Sequence, residues 1–503
     1  MSSQQRIQVG VPDADHGLVA DTVRQAAGAV FTDARLLSRA VVELVDEPVG
    51  RIHLQGEPLP ISGRRMEQAV LAGSGRVRDP EDGRTPRELA LSRFAGADGA
   101  TKAAVVGSLV DTALRSALPV LVRAERFEIA RRLARGPCTV EAVADAVGLA
   151  AEVGVNPVVL DDDGVRGAPD EAYAAAEWMV QRCLERDPAD LVVEAHAATL
   201  RRLTTGPEAL GAELITGSES SGPFGLVEQL HRYYGVLAPR VRLRVAHDCP
   251  PEQVRFSFGC GGRSAAHLVL PGDVVVVTAA PELLEPSGAP YLDPFLGSRW
   301  SAIGTHCAHL APGRVLHASA LVINALLAEM ATRLSLWAPR DDALSLREVG
   351  LDGGVDLPAT AAAVRRLLAS RVSLRNDLRL KEAAILLAAE GERRIDRTEL
   401  GLRAFLGRAV VAPTTASTAD GTVVEVLAAV AEDAAATGSA RPLLEKHPEL
   451  AECTQDIVLA VPGRWRHDVE QLLKPLNDVV LVAATEEYSL LPVAPTRMPG
   501  PPH

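Results

Sequence analysis

The chain has 503 residues, more than three times the roughly 150 of an ordinary domain, so two to four domains are expected. Hydrophobic residues make up 47% and charged residues 23%, a globular balance that excludes a disordered or collagen-like chain. The net charge of −13, from 52 basic and 65 acidic residues, argues against nucleic acid as a partner, because phosphate backbones are held by an excess of Lys and Arg.

In chain order, Arg6 to Val11 reads as a strand, Gly17 to Val30 as a helix and Val49 to Leu54 as a second strand, broken by Gly56, Pro58 and Pro60. Gly73 to Pro86 is polar and rich in Gly and Arg, as a surface loop would be, and helical periodicity runs from Thr101 to Ala150. Asn156 to Gly167 is expected to form a hairpin with Asp163-Gly164 at its turn. A domain boundary is placed after the helix of Trp178 and Cys183, at Asp187-Pro188. Beyond it, Val241, Leu243 and Val245 alternate with arginines, and Val254, Phe256 and Phe258 alternate with Arg255 and Ser257, so each strand can bury one face. Val274 to Val277 is an unbroken valine run, suited to a strand buried on both faces.

From Leu316 the period lengthens: Ala320, Ile323, Leu327, Met330 and Leu334 share one helical face. Helices around Val364 to Leu368 and Leu380 to Leu387 follow, then a Thr- and Ala-rich linker over 412–421. Ile457 to Val461, the helix of Val469 to Leu476, and Val479 to Val482 form a β-α-β unit with parallel strands. The expected fold class is therefore mixed α/β: several small α/β subdomains and one mostly helical subdomain, without a transmembrane segment. The expected boundaries are 1–186, 187–312, 313–412 and 420–490, with a disordered tail over 491–503.

The shortage of aromatics (eight Phe, four Trp, five Tyr) means that cores must be built from Ala, Val and Leu, and base stacking or cation cages lack their material. Six cysteines without a CxxC pair indicate neither a disulfide framework nor a zinc ribbon, as in a cytoplasmic protein. No stretch reaches the roughly 18 apolar residues that cross a bilayer, and the N-terminus carries no leader pattern. Membrane contact is expected only through a partner.

Catalytic signatures such as a phosphate loop, a nucleophile elbow or a zincin helix are absent from the sequence. Gly259-Cys260-Gly261-Gly262 lies between strands and reads as a tight turn, with a Cys260 nucleophile as the alternative. His306, Cys307 and His309 offer zinc-ligand chemistry but lack an evident fourth ligand; with Cys260 they define an enzyme alternative. Asp161-Asp162-Asp163 is accounted for by the hairpin turn. No cofactor or metal is expected.

Residues 124–150 are similar to a helix-turn-helix: a helix with Ile129 and Leu133, flanked by Arg126, Arg131, Arg132 and Arg135, then Gly136-Pro137, then Thr139 capping a second helix. An ordinary αα-hairpin is the favoured reading, because Glu141 and Asp145 put negative charge where phosphate would approach. A DNA-binding or signalling regulator is the resulting alternative.

Between about residues 187 and 490, a series of local motifs resembles, in order, the cytoplasmic half of the FHIPEP family, the export-gate proteins of flagellar and virulence-associated type III secretion. Ala238-Pro239-Arg240-Val241-Arg242-Leu243-Arg244 is similar to the family's strand after its first domain helix, and Pro250-Pro251-Glu252 with Val254 to Phe258 to the next strand. Pro271-Gly272 matches the Pro-Gly before a buried strand, and Asp293-Pro294-Phe295 with Trp300 resembles an Asp-Pro-x-Phe segment, one residue shorter here. Val315 to Ser319 resembles the opening of the family's long helix. Val364-Arg365-Arg366-Leu367-Leu368, followed by Val372-Ser373-Leu374-Arg375-Asn376, resembles its Val-Leu-x-x-Leu-Leu and Val-x-Ile-Arg-Asp signature. Leu400 to Val410 and the closing β-α-β unit fall in the expected places.

The resemblance implies a non-catalytic protein-binding platform that assembles as a homo-oligomeric ring and receives chaperone-bound export substrates between its subdomains. The partner-binding positions it carries over are Asp293, Phe295 and Asn324, the last where the family has Thr. The family's membrane half has no counterpart, so proton conduction is not expected, and residues 1–186 form an α/β region outside the resemblance.

Overall fold

The computed structural model describes residues 4–74, 83–134, 138–160, 168–169, 171–186, 191–204, the elements named below between 230 and 374, 422–454 and 457–485. Strand β1 (Gln4–Gly10) runs parallel to β2 (Arg39–Val45), with Ile7 opposite Val42, and antiparallel to β3 (Ile52–Leu54), which pairs with β4 (Glu57–Pro58). The sheet order β2-β1-β3-β4 leaves β2 at an edge. Helix α1 (His16–Asp33) covers this sheet because Val19, Val23, Ala27 and Val30 recur at steps of four and three and so share one face. Against it pack α2 (Gly63–Ser74), α3 (Pro86–Ala95) and α4 (Gly99–Ser116), closing a first core around Ile7, Val9, Leu109 and Leu114.

A second core is helical. It joins α5 (Leu118–Ala124), α6 (Arg126–Leu133), α7 (Val140–Val153) and α8 (Ala172–Arg186) through Ile129, Leu133, Val147, Met179 and Cys183. The expected hairpin at 156–167 is not formed. Pro157–Leu160 is instead a buried 3-10 turn, because the Asn156 side chain accepts from the Val158 N–H (3.1 Å) and folds the backbone on itself. Asp161 to Gly167 lie outside the described residues.

The third core contains β5 (Leu191–Ala195), α9 (Ala197–Thr204), β6 (Val241–Val245), β7 (Gln253–Phe258) and β8 (Ser264–Val269), in the sheet order β6-β5-β7-β8. Phe256 and Phe258 are wholly buried there against Leu326, Met330, Val364 and Leu367, so two of the scarce aromatics serve packing. A second small sheet orders β10 (Pro290–Leu292), β11 (Arg299–Ile303), β9 (Val274–Val277) and β12 (Val315–Leu316), all antiparallel. Helices α10 (Ala318–Ala331) and α11 (Leu357–Ala369) confirm the helical periods read around Leu327 and Leu367. The helix expected near Leu380, the 412–421 linker and the tail lie outside the described residues.

The closing unit is β13 (Thr422–Glu425), α12 (Ala428–Thr437), α13 (Arg441–Lys446), α14 (Glu449–Glu452), β14 (Ile457–Val461), α15 (Arg466–Leu472) and β15 (Val480–Ala484). Its strands are all parallel, as expected for β14 and β15. The first and last units open alike: Val11-Pro12 follows β1 and Val461-Pro462 closes β14, and Pro12 (φ −55°, ψ 137°) and Pro462 (φ −56°, ψ 133°) each lead a 3-10 turn into a helix. Proline stops the ladder, having no N–H to give, and its fixed φ sets the turn.

Two buried junctions tie these units together. At the first, the start of α2 is enclosed. Ser62 Oγ donates to Asp478 (2.6 Å), Arg64 donates to the Asp478 and Thr454 carbonyls (2.8 and 3.1 Å), and Arg65 grips Glu329 of α10 with both Nη atoms (2.5 and 2.9 Å). Gly63 has no alternative there, since a Cβ would lie 2.3 Å from the Glu452 carbonyl oxygen. Arg333 binds Glu329 as well (3.1 Å) and lies 4.2 Å from the Phe258 ring centroid. Burial alone would raise the Glu329 carboxyl, but the Arg65 and Arg333 guanidiniums overcome it and hold that carboxyl below its ordinary range.

At the second junction, Arg365 of α11 donates twice to Glu177 of α8 (2.7 and 2.8 Å) and once to the Ser335 carbonyl (2.7 Å), while Arg366 meets Glu152 of α7 (3.3 Å). Burial of Glu177 is again outweighed, chiefly by the hydrogen bond and charge of Arg365, and its carboxyl is depressed. The two arginines of the export-gate-like motif at 364–368 thus hold the first third of the chain against the rest.

Among the described residues, no single helix is long and apolar enough to cross a membrane. Helices α4 and α5 meet the length and composition of a span only as a pair, across a 60° bend, and their apolar side chains fill the first two cores.

Candidate functional site

Between the first two cores lies a cleft of about 720 Å³. Its walls are one face of α1 (Arg24, Gly28, Phe31, Thr32), the turn from α1 into β2 (Arg35 to Arg39), the start of β2, and Arg132 with Val158 and Val159 opposite. Four arginines and no acidic residue are among its described lining residues, in a chain whose net charge is −13. Arg24 holds Asp21 on the outer face of α1 (2.9 Å); Arg35 and Arg39 meet no acidic partner among the described residues.

The α1–β2 turn is fixed from beneath. The buried Glu125 carboxylate accepts from the Leu37 N–H (2.8 Å), the Ser38 N–H (3.1 Å) and the Ser38 hydroxyl, and the Asn156 amide donates to the Ala34 carbonyl. These bonds cap a helix end of a particular kind. The Leu36 N–H reaches back to the Phe31 carbonyl (2.9 Å) and the Arg35 N–H to the Thr32 carbonyl (3.0 Å), with Arg35 left-handed at φ 51°. Such an end favours glycine, and α7 and α12 indeed close with Gly154 (φ 95°) and Gly438 (φ 64°). Arg35 stands where a glycine would be unstrained.

A second open feature is β6. It forms the edge of its sheet, and Leu243 (38% exposed) and Val245 (47%) stand on one face of it, while Arg244 on the other face pairs with Glu194. Few large apolar side chains are exposed among the described residues, and two of them share this strand.

Of the partner-binding positions expected from sequence, Asp293 and Phe295 lie outside the described residues; Asn324 lies in α10, with its side chain outside them. Cys260, His306, Cys307 and His309 also lie outside. Among the described residues no group of three or more His, Cys, Asp or Glu side chains could hold a metal. In the helix-turn-helix-like segment, Thr139 accepts from the Ala142 N–H (3.2 Å) and caps α7 as expected. Helix α7 is enclosed by α5, α6 and α8, and its exposed positions are Glu141 and Asp145, a surface that repels phosphate. The cleft arginines were not recognised in sequence as a group, because 108 residues separate Arg24 from Arg132 and the overall charge is negative.

No protein-family model matches the chain, and no curated protein matches it. Among solved structures, it is similar to the CdsV protein of Chlamydia pneumoniae (11% identity, TM-score 0.45, covering 60% of this chain and 94% of that one). It is similar also to the MxiA protein of Shigella flexneri (17%, TM-score 0.42, 59% and 94%) and to the C-terminal domain of InvA (16%, TM-score 0.43, 60% and 96%). These proteins are of the class that the motifs between 187 and 490 resemble. At TM-scores below 0.5 the likeness carries no functional argument.

Proposed function

We propose that the chain is a non-catalytic protein-binding platform of the export-gate cytoplasmic type, working by docking other proteins and by self-assembly. The observation that carries this reading is the open edge of β6. A strand edge offers unpaired N–H and C=O groups, and Leu243 and Val245 beside it offer apolar surface, which together fit the addition of a partner strand. The ordered motifs between 187 and 490 support the same reading from the sequence side. Two of the similar structures are described as nonameric, EPEC SctV-C and EscV, and CdsV is described in complex with CdsO; a ring of identical copies and a protein partner are the corresponding proposals here. Asp293, Phe295 and Asn324 remain the proposed partner-binding positions.

The test is native mass measurement of the purified chain and of material captured from its own cell, for the wild type and for Leu243→Asp with Val245→Asp. A homo-oligomer or stoichiometric complex that the paired variant loses, with its fold intact by circular dichroism, is the expected result. An assembly state and partner set identical in wild type and variant would remove β6 from the reading. Phe295→Ala, measured in parallel, addresses the second proposed surface separately.

A further inference from the structure

We propose that the arginine-lined cleft between α1, β2 and α6 binds an acidic, extended polypeptide segment of a partner protein. It rests on the reading of the chain as a protein-binding platform, but uses a surface in residues 1–186, which that reading leaves without a role.

Three independent observations converge on the cleft. The first is charge. Arg35 and Arg39, flanked by Arg24 and Arg132, face one concavity with no acidic residue in its described lining, and guanidinium groups match carboxylates with two parallel hydrogen bonds. The second is Arg35. Among the described residues, two arginines occupy left-handed helix ends with the same bonding, Arg35 and Arg371 (φ 57°). Arg371 has a visible reason, since its guanidinium donates to the Asn477 carbonyl in the first junction. Arg35 adopts the same unfavourable backbone and reaches no acidic group among the described residues, which leaves its guanidinium directed at the cleft that it lines.

The third observation is Gly28. It sits inside α1, where glycine costs helix stability, and a Cβ there would meet nothing within 4 Å. No packing contact demands it; what its missing side chain leaves is room in the cleft wall.

The occupant follows from the arrangement. The arginines come from α1, the α1–β2 turn, β2 and α6, so the charge is spread along the cleft rather than focused on one point, as a chain bearing several carboxylates requires. Phe31, Val42, Val158 and Val159 give apolar surface between the charges, and β2, an edge of its sheet among the described strands, can add an extended strand. An acidic segment with alternating apolar side chains fits all three.

The probe is a short fluorescein-labelled peptide alternating Glu and Val, titrated with the full chain and followed by fluorescence anisotropy at low and moderate salt. Saturable, salt-weakened binding is expected, reduced about tenfold or more by Arg35→Gly, the loss of one charge-assisted contact, and abolished by Gly28→Leu, which fills the cleft. The thermal midpoint of Arg35→Gly should not fall, which separates lost binding from lost fold. No saturable binding by the wild type, or equal binding by both variants, overturns the proposal. Displacement of the peptide by inorganic tripolyphosphate at lower concentration than by unlabelled peptide also overturns it, in favour of a phosphate-bearing ligand. The paired Leu243 and Val245 variant should bind the peptide as the wild type does. Failure of the cleft therefore leaves the β6 test standing, and the reverse.

Discussion

The first junction and the cleft are both built with arginine, and they treat it in opposite ways. At the junction the guanidiniums are largely taken out of water and matched: Arg65 by Glu329, Arg333 by the same carboxylate and the Phe258 ring, and Arg64 by the Asp478 and Thr454 carbonyls. In the cleft the guanidiniums stay exposed, two of them without an acidic partner among the described residues. A buried charge is tolerated only when its partner is already in the molecule, because the lost hydration has to be replaced. An exposed one can wait for a partner from elsewhere. The difference separates what holds this protein together from what it offers to others.

The largest effect that would break the comparison lies at the junction. Arg65→Met leaves Glu329 buried with only Arg333 to answer it, and should lower the stability of the unit by about 3–5 kcal/mol in chemical denaturation, the usual result of removing one member of a buried pair. Arg65→Met with Glu329→Leu should recover only part of that, because Arg333 then loses its carboxylate. pH offers a second measurement of the same pairing. Glu329 and Glu177 have folded-state carboxyl pKa values below their ordinary ones, so their contribution is fully present above the ordinary carboxylate range and is lost as pH falls through the depressed values. The acid limb of the stability curve should be shallower in Glu329→Gln. An unchanged limb would mean that this carboxylate contributes nothing through its charge.

A comparison of the two left-handed arginines sharpens the contrast. Arg371 is buried and its guanidinium bonds to the Asn477 carbonyl. Arg371→Gly relieves the backbone but abandons a buried charge-assisted bond worth about 1.5–3 kcal/mol, for a net loss of about 1–2 kcal/mol by thermal unfolding. Arg35→Gly relieves the same backbone and abandons no internal ion pair seen in the described residues. Its stability should rise by a few tenths to about 1 kcal/mol, the left-handed cost less the entropy of glycine. Opposite signs at geometrically matched sites would show that Arg35 is kept for something other than the fold.

How much of this was legible in sequence follows the same division. The strands β1 and β7 and the helices α1, α10 and α11 announce themselves because their apolar residues repeat at the period of the element that buries them; β6 has the same alternation, but its Leu243 and Val245 stand exposed at a sheet edge and do not bury the expected face. The Thr139 cap was equally plain. For the stretch at 156–160, Asp163-Gly164 is a strong hairpin signal, whereas what decides the fold is the Asn156 side chain, which turns the backbone at Val158 and whose bond to Ala34 spans 122 residues. The junctions were invisible for the same reason: Ser62, Glu329 and Asp478 carry no local pattern, and only the fold brings them together. Arg365 and Arg366 were noticed as part of a motif, but their partners Glu177 and Glu152 belong to the region that the motif does not cover. Arg35, Arg39 and Gly28 gave no signal, since an arginine after a helix and a glycine within one are each unremarkable until their backbone angle and surroundings are known.

The smallest expected effect is the one that separates burial from mere contact. Arg441 and Glu57 also join the first and last units, at 3.5 Å, and Arg441 bonds the Gly56 carbonyl (3.1 Å) while Ser439 Oγ donates to Glu57 (2.6 Å). By count of bonds this contact resembles the buried junction. Both charged side chains are about half exposed, however (49% and 55%), so water and salt screen the pair and its ordering costs side-chain entropy. Arg441→Ala should therefore lower stability by no more than about 0.5 kcal/mol, and that little should vanish in high salt. A loss comparable to that of Arg65→Met would mean that the number of bonds across these units, and not the dryness of the junction, holds them in place.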